Sequence, residues 1–105
     1  MMIVVTTETI PGKEIVDVIG VVSGGTVQSK NIGKDIGAGL KGLVGGEMKS
    51  YTAMMEEARD IALKRLIDKA ADSGANAVVS MRFMTSAIVQ GASEVIAYGT
   101  AVVIE

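Results

Sequence analysis

The feature that most constrains this chain is a run of glycines placed directly before its longest helical pattern. Six glycines fall within the fourteen positions from Gly33 to Gly46. Each glycine weakens a helix by about 1 kcal/mol relative to alanine, so such a cluster needs either close backbone packing or a bound ligand as its reason. We favour a packing contact between subunits, with a phosphate cradle as the alternative. The glycines expected at the contact are Gly37, Gly39 and Gly42.

The composition also favours self-association. The chain has 105 residues, which corresponds to one domain spanning 1–105, and 49% of them are hydrophobic. Its mean hydropathy is +0.42. A body this small buries a limited fraction of its surface, so the apolar surplus predicts a homo-oligomer.

Charge and aromatic content indicate which partners to exclude. The net charge is −2, and the chain has one Phe and two Tyr, so it lacks the basic field and the stacking platforms typical of nucleic-acid binding. The apolar start at Met1–Val5 is too short for a signal sequence, and no other run approaches the roughly 18 to 20 residues of a membrane span. We therefore expect a cytoplasmic protein with neither nucleic-acid nor membrane partners.

Cysteine and histidine are both absent. Their absence removes disulfides, thiolate nucleophiles, the usual zinc sites and every Ser/His/Asp or Cys/His arrangement. The sequence therefore predicts no enzyme activity and no cofactor.

Periodicity predicts a two-layer α+β fold, in which one long helix packs on a small antiparallel sheet. The helix is expected from Met48 to Asp72 and is closed by Gly74, with a short Gly-rich helix at 31–44 before it. A turn is expected at Ile10–Lys13, a break or bulge at Ser23–Gly25, and a connection or irregular strand end at 86–93. The predicted strands are 2–6, 14–22, 26–28, 77–84 and 95–104.

The long helix carries an apolar stripe when residues are placed about 100° apart. Met54 and Ile61 widen the stripe, which implies a second packing partner, and Asp60 and Lys64 have the spacing of an ion pair on the wet face. The stripe consists of Met48, Tyr51, Met55, Ala58, Ala62, Leu63, Leu66 and Ala70.

Arg59 stands out because it projects inside this stripe, between Met55 and Leu66. A buried guanidinium needs a partner, and we expect that partner to be Asp35, Glu47 or an acid of a neighbouring subunit. In the alternative, the aliphatic stem covers the edge of the core and the guanidinium reaches water.

Two kinds of ligand site are conceivable from the sequence, one for a phosphate and one for a metal ion. The segment from Gly37 to Gly42 matches the spacing G-x-G-x-x-G, but no strand leads into it and the chain is too short for a dinucleotide domain. For a soft metal the chain offers only methionine thioethers, which we interpret as core filling. A hard-cation site around Glu47, Glu56 or Asp60 stays open as an alternative.

Several short segments together resemble one family. They are Gly20–Gly24, Asn31, Asp35, Gly45–Glu47, Tyr51, Ala58–Arg59 and Gly74–Val79. Their order and spacing over nearly the whole chain resemble the YbjQ-like proteins, an uncharacterised bacterial and archaeal family. The resemblance implies a dodecin-like fold, a homopentameric ring and a heavy-metal-binding family description.

Two function classes follow from these observations. The first is a ring-forming structural or interaction protein, for which Arg59, Asp35, Glu47 and Tyr51 are candidate structural or interface residues together with the three glycines named above. The second is a metal-ion or small-molecule binder that uses clefts between subunits.

Overall fold

A computed structural model of the chain describes residues 1–29, 46–89 and 91–105. The strands β1 (Ile3–Val4), β2 (Ile15–Ser29), β3 (Ala77–Val89) and β4 (Ala92–Ile104) form a sheet in the order β1-β3-β4-β2. The helix α1 (Gly46–Asp72) packs on this sheet, mainly against β2 and β4. The predicted α+β class with one long helix on a small sheet is confirmed. The sheet is mixed, because β1 runs parallel to β3 whereas the other two pairs are antiparallel. The short helix expected at 31–44 lies outside the described residues.

The helix buries the stripe that its sequence predicts. Ala58, Ala62, Leu66 and Ala70 are fully buried, and Met55 and Leu63 pack against them from the side. Lys64 forms its ion pair with Asp68, at 3.6 Å, instead of with Asp60. Three small alanines in the stripe bring the helix close to the sheet.

The helix ends where the sequence predicts. Gly74 has φ +94°, and its N–H donates to the Ala71 carbonyl at 3.1 Å, while the Ala75 N–H donates to the Ala70 carbonyl at 3.1 Å. This paired arrangement around a left-handed glycine satisfies carbonyls that the last helical turn leaves free.

The break predicted at Ser23–Gly25 is wrong. β2 pairs with β4 in continuous register from Val21 to Ser29, and its register shifts lie earlier, between Ile15 and Asp17 and between Val18 and Gly20. Gly24 faces the helix, where an added Cβ would collide with the backbone of Ala62, Arg65 and Leu66. The glycine therefore permits close helix–strand contact and does not bend the strand.

Of the two alternatives predicted for 86–93, the connection is wrong and the irregular strand end agrees with the structure, since the pairing of β3 with β4 shifts register between Ala87 and Val89. β3 continues to Val89 and β4 begins at Ala92, so the two strands form a long hairpin. Gly91 takes φ +81° in its turn. The hairpin helps to give the described part of the chain an elongated shape of 56 × 22 × 19 Å.

A bulge in β3 changes which residues face the helix. The pairing of β3 with β4 shifts register between Val79 and Arg82, and Ser80 has φ +56°. As a result Val78 and Met81 share the core under the helix, whereas strict alternation predicts opposite faces. Met84 is exposed and Met81 is buried.

The other face of the sheet is covered near its β1 end. A second buried cluster of Ala77, Val79, Val102 and Ile104 lies there. Ile10 packs on it from the connection between β1 and β2, which turns at Ile10–Lys13 as predicted, with Gly12 at φ +78°. The loop therefore covers one end of this face.

Candidate functional site

Five of the seven candidate residues from the sequence cannot be placed as a group. Asp35, Gly37, Gly39 and Gly42 lie outside the described residues, and so does the side chain of Glu47 in the first turn of α1. Tyr51 is half-buried on the helix. The predicted subunit contact at the glycines therefore remains a prediction.

Arg59 is exposed on α1. Its neighbour Ala58 is fully buried. The exposure agrees with the alternative in which a long side chain leaves the edge of the core and reaches water. Its pairing with Asp35 or Glu47 stays a prediction, because both partners' side chains lie outside the described part.

Among the described residues, an exposed apolar patch lies on the face of the sheet opposite the helix. Register and alternation place one set of side chains there, and Val21 is 83% exposed within it. Met84 from β3 is 51% exposed on the same face. We call this patch the open sheet face; it consists of Val21, Val27, Met84, Ile96 and Tyr98. The register also places Arg82 opposite Tyr98 and Glu94 opposite Val27 on this face. Single exposed apolar residues are ordinary, but a group of them with polar neighbours is typical of an interaction surface.

The outer edge of β2 adjoins the open sheet face. Among the described strands, β2 pairs with β4 alone. Arg65 reaches this edge from the helix, and its Nη1 donates a hydrogen bond of 2.7 Å to the Gly25 carbonyl. An open groove of about 420 Å³ lies at the same edge. Its lining includes Arg65, Gly25, Val27 and Glu94.

Arg65 is not among the residues predicted from the sequence, although a signal for it exists. At about 100° per residue Arg65 projects about 20° from Ala58, between Ala58 and Met54, so it lies within the widened apolar arc although outside the stripe that contains Arg59. The criterion that selected Arg59, applied to the widened arc, therefore also selects Arg65. Its partner, a backbone carbonyl on another element, has no signature in the sequence.

The side chains of the described residues form no group of three or more Asp, Glu, Cys or His that could hold a metal ion. Met2, Met55 and Met81 belong to the core under the helix, as adaptable packing residues do. In the part of the chain that the structure describes, no helix is long and apolar enough to span a bilayer.

Comparison with known proteins identifies a family. A family model named YbjQ and described as "Putative heavy-metal-binding" matches residues 2–105. The chain is 58% identical to a UPF0145 protein of Shewanella frigidimarina, over 96% of this chain and 94% of the relative. It is 60% identical to a UPF0145 protein of Vibrio parahaemolyticus, over 96% of both chains.

A solved structure has the same fold. It is a protein of unknown function from Pediococcus pentosaceus that belongs to the DUF74 family, with a TM-score of 0.62 and 19% identity over 99% of this chain and 98% of that chain. At this identity the likeness extends to the fold alone. The family model and the relatives agree with the segments that suggested the resemblance, and on this evidence the chain belongs to the YbjQ-like family.

Proposed function

We propose that this protein is a structural subunit that assembles with copies of itself into a closed ring, with five chains as the expected number. In this proposal it acts in the cytoplasm through its assembled surface and has no catalytic activity of its own. The open sheet face is the observation that carries the proposal. An exposed apolar patch on a chain with a surplus of apolar residues is stabilised when another copy covers it.

A ring also suits the asymmetry of the chain. In a cyclic assembly with more than two subunits, each subunit uses two different patches, one toward each neighbour. The open sheet face lies on one side of the sheet, and the helix with half-buried Met54 and Ile61 lies on the other. These two surfaces are the candidates for the two contacts.

Light scattering coupled to size exclusion tests the proposal. The wild-type protein should elute at several times the chain mass of 10.8 kDa. Val21→Lys places a charge in the open sheet face and should shift the assembly toward single chains, because a desolvated, unpaired ammonium opposes the contact. Ala71→Lys is the matched control, since Ala71 is exposed on the helix away from that face.

Two results contradict the proposal. A wild-type mass near 10.8 kDa at micromolar concentration would exclude the assembly itself. An unchanged mass for Val21→Lys, in a variant that keeps its circular dichroism spectrum, would exclude the open sheet face as a contact.

The description of the family favours a second function, binding of a metal ion or small molecule in clefts between subunits. In this second function the site draws its ligands from more than one subunit, and the described side chains of one chain form no group of three or more Asp, Glu, Cys or His. Native mass spectrometry after purification without added metal tests it. A retained mass of fixed stoichiometry supports this second function, and an assembly without retained mass contradicts it.

A further inference from the structure

The outer edge of β2 has backbone groups that a second strand could pair with. In an antiparallel pair, alternate residues direct their N–H and C=O groups away from the partner strand. The Gly25 carbonyl is one such group, since Arg65 reaches it from outside the β2–β4 pair. The same alternation directs the backbone groups of Ser23 and Val27 outward.

Sequence features that normally protect an edge are missing from this stretch. Between Gly20 and Ser29 the strand has no charged residue and no proline. Bulges, which also discourage pairing, occur only before this stretch. A long uncharged edge is a template for pairing with another chain, so a native protein requires some other protection.

Arg65 is positioned to protect this edge of β2. Its neighbour Leu66 is fully buried, and Gly24 lets the helix backbone come within collision distance of a Cβ on β2. The guanidinium is therefore held at the middle of the edge, where it forms its 2.7 Å hydrogen bond with Gly25. A neighbouring strand would have to displace both the hydrogen bond and a solvated charge.

We infer that Arg65 guards the edge of β2 and keeps a second copy of the chain from pairing along it. The guard prevents strand-by-strand growth from one chain to the next. This inference does not depend on the number of subunits in the wild-type assembly, because its test compares each variant with the wild type.

The test replaces Arg65 while keeping its aliphatic stem. Arg65→Met removes the donor and the charge, and Arg59→Met makes the same chemical change at an exposed position of the same helix. Light scattering should show a concentration-dependent apparent mass for Arg65→Met that is at least about twofold above wild type, because joining two assemblies is the smallest growth step. Arg59→Met should retain the wild-type mass.

A second substitution tests whether growth uses the strand edge. Ser23→Pro removes an outward N–H without removing a bond of the β2–β4 pair, so adding it to Arg65→Met should restore the wild-type mass. Growth that persists in the double variant would overturn the inference. Equal growth of Arg59→Met would also overturn it, since added hydrophobicity alone would then be the cause.

Circular dichroism establishes that each variant is folded. If Arg65→Met loses its native spectrum, Arg65→Gln is used in its place, with Arg59→Gln as the control. A folded Arg65 variant that keeps the wild-type mass at all concentrations would show that the edge needs no guard.

Discussion

Two adjacent glycines in β2 have opposite surroundings. Gly24 faces the helix, and a Cβ there would lie 2.6 Å from the Ala62 carbonyl oxygen and 2.7 Å from the Arg65 carbonyl carbon. Gly25 faces the other side, where the nearest atom to a Cβ would be Cγ1 of Ile96 at 3.4 Å, an ordinary contact. One position therefore requires glycine, whereas its neighbour has room for a methyl group.

We predict that Gly24→Ala lowers the free energy of unfolding by about 1 to 3 kcal/mol or more, since backbone atoms cannot rotate away from the added methyl group. Gly25→Ala is the control and should change it by less than about 0.5 kcal/mol. Urea denaturation of both variants measures the difference. Equal stability of the two variants would contradict the close helix–strand contact.

At the scale of elements, Asn76 joins the start of β3 to the end of β4. Its Nδ2 donates to the Ile104 carbonyl at 2.9 Å, and the Ile104 N–H donates to its Oδ1 at 2.7 Å. Its own backbone N–H donates to the Val102 carbonyl at 3.1 Å. The side-chain amide thus replaces one strand residue in the sheet.

Asn76→Asp should destabilise the fold by about 1 to 3 kcal/mol at neutral pH, because a carboxylate oxygen then faces the Ile104 carbonyl without a proton to share. The loss of stability relative to wild type should become smaller below about pH 4, where the protonated carboxyl can again donate a hydrogen bond to the Ile104 carbonyl. Thermal unfolding followed at pH 7 and pH 3.5, always relative to wild type, measures this effect. A loss that is independent of pH would show that the amide pair is not its cause.

The sequence predicts these elements unevenly, and the reasons are physical. The stripe of α1 and the turn at Gly74 depend on local periodicity and on one residue's backbone freedom, so both are predicted and confirmed. The bulge at Ser80 is missed because its causes lie elsewhere in the chain: the Ser80 N–H donates to the Thr7 carbonyl, and Gly99 lies close to Val78 and Met81 across the sheet. The sequence predicts a break at Gly24 because it does not distinguish a glycine that bends a strand from one that allows a helix to pack closely on the strand.

For the candidate site, the pairing of Arg59 with Asp35 or Glu47 stays a prediction, because the side chains of both acids lie outside the described part of the chain. Arg65, which the sequence did not single out, forms a hydrogen bond with the Gly25 carbonyl. The sequence predicts a surplus of apolar residues but does not locate them on the open sheet face. Its location depends on strand order, which brings β2 beside β4 across more than sixty intervening residues.

At the scale of the whole molecule, the family description and the available ligands differ. The chain has neither cysteine nor histidine, and Met81 and Met84 point to opposite faces of the sheet. Selective binding of copper, zinc or cadmium normally uses thiolate or imidazole ligands. The residues therefore favour weak binding of these ions.

We predict that titration calorimetry with copper, zinc or cadmium shows no stoichiometric event with sub-micromolar affinity. Calcium serves as a comparison for carboxylate binding, since it prefers oxygen ligands. A tight event with a soft metal would contradict this prediction and would point to methionines or carboxylates brought together between subunits.

The strand order also determines when the sheet can form during synthesis. β4 lies between β2 and β3 in the sheet but follows both along the chain. The helix and the strands β1, β2 and β3 are therefore synthesised before β4, which joins β2 to β3. Until β4 is made, the apolar side chains of β2 lack their partner strand. Strand pairing over such sequence distances is slow, and the unpaired strand edges are prone to aggregation until the pairing forms. In the nascent chain β2 should consequently join the sheet only after β4 has emerged, and until then protection of β2 matters most.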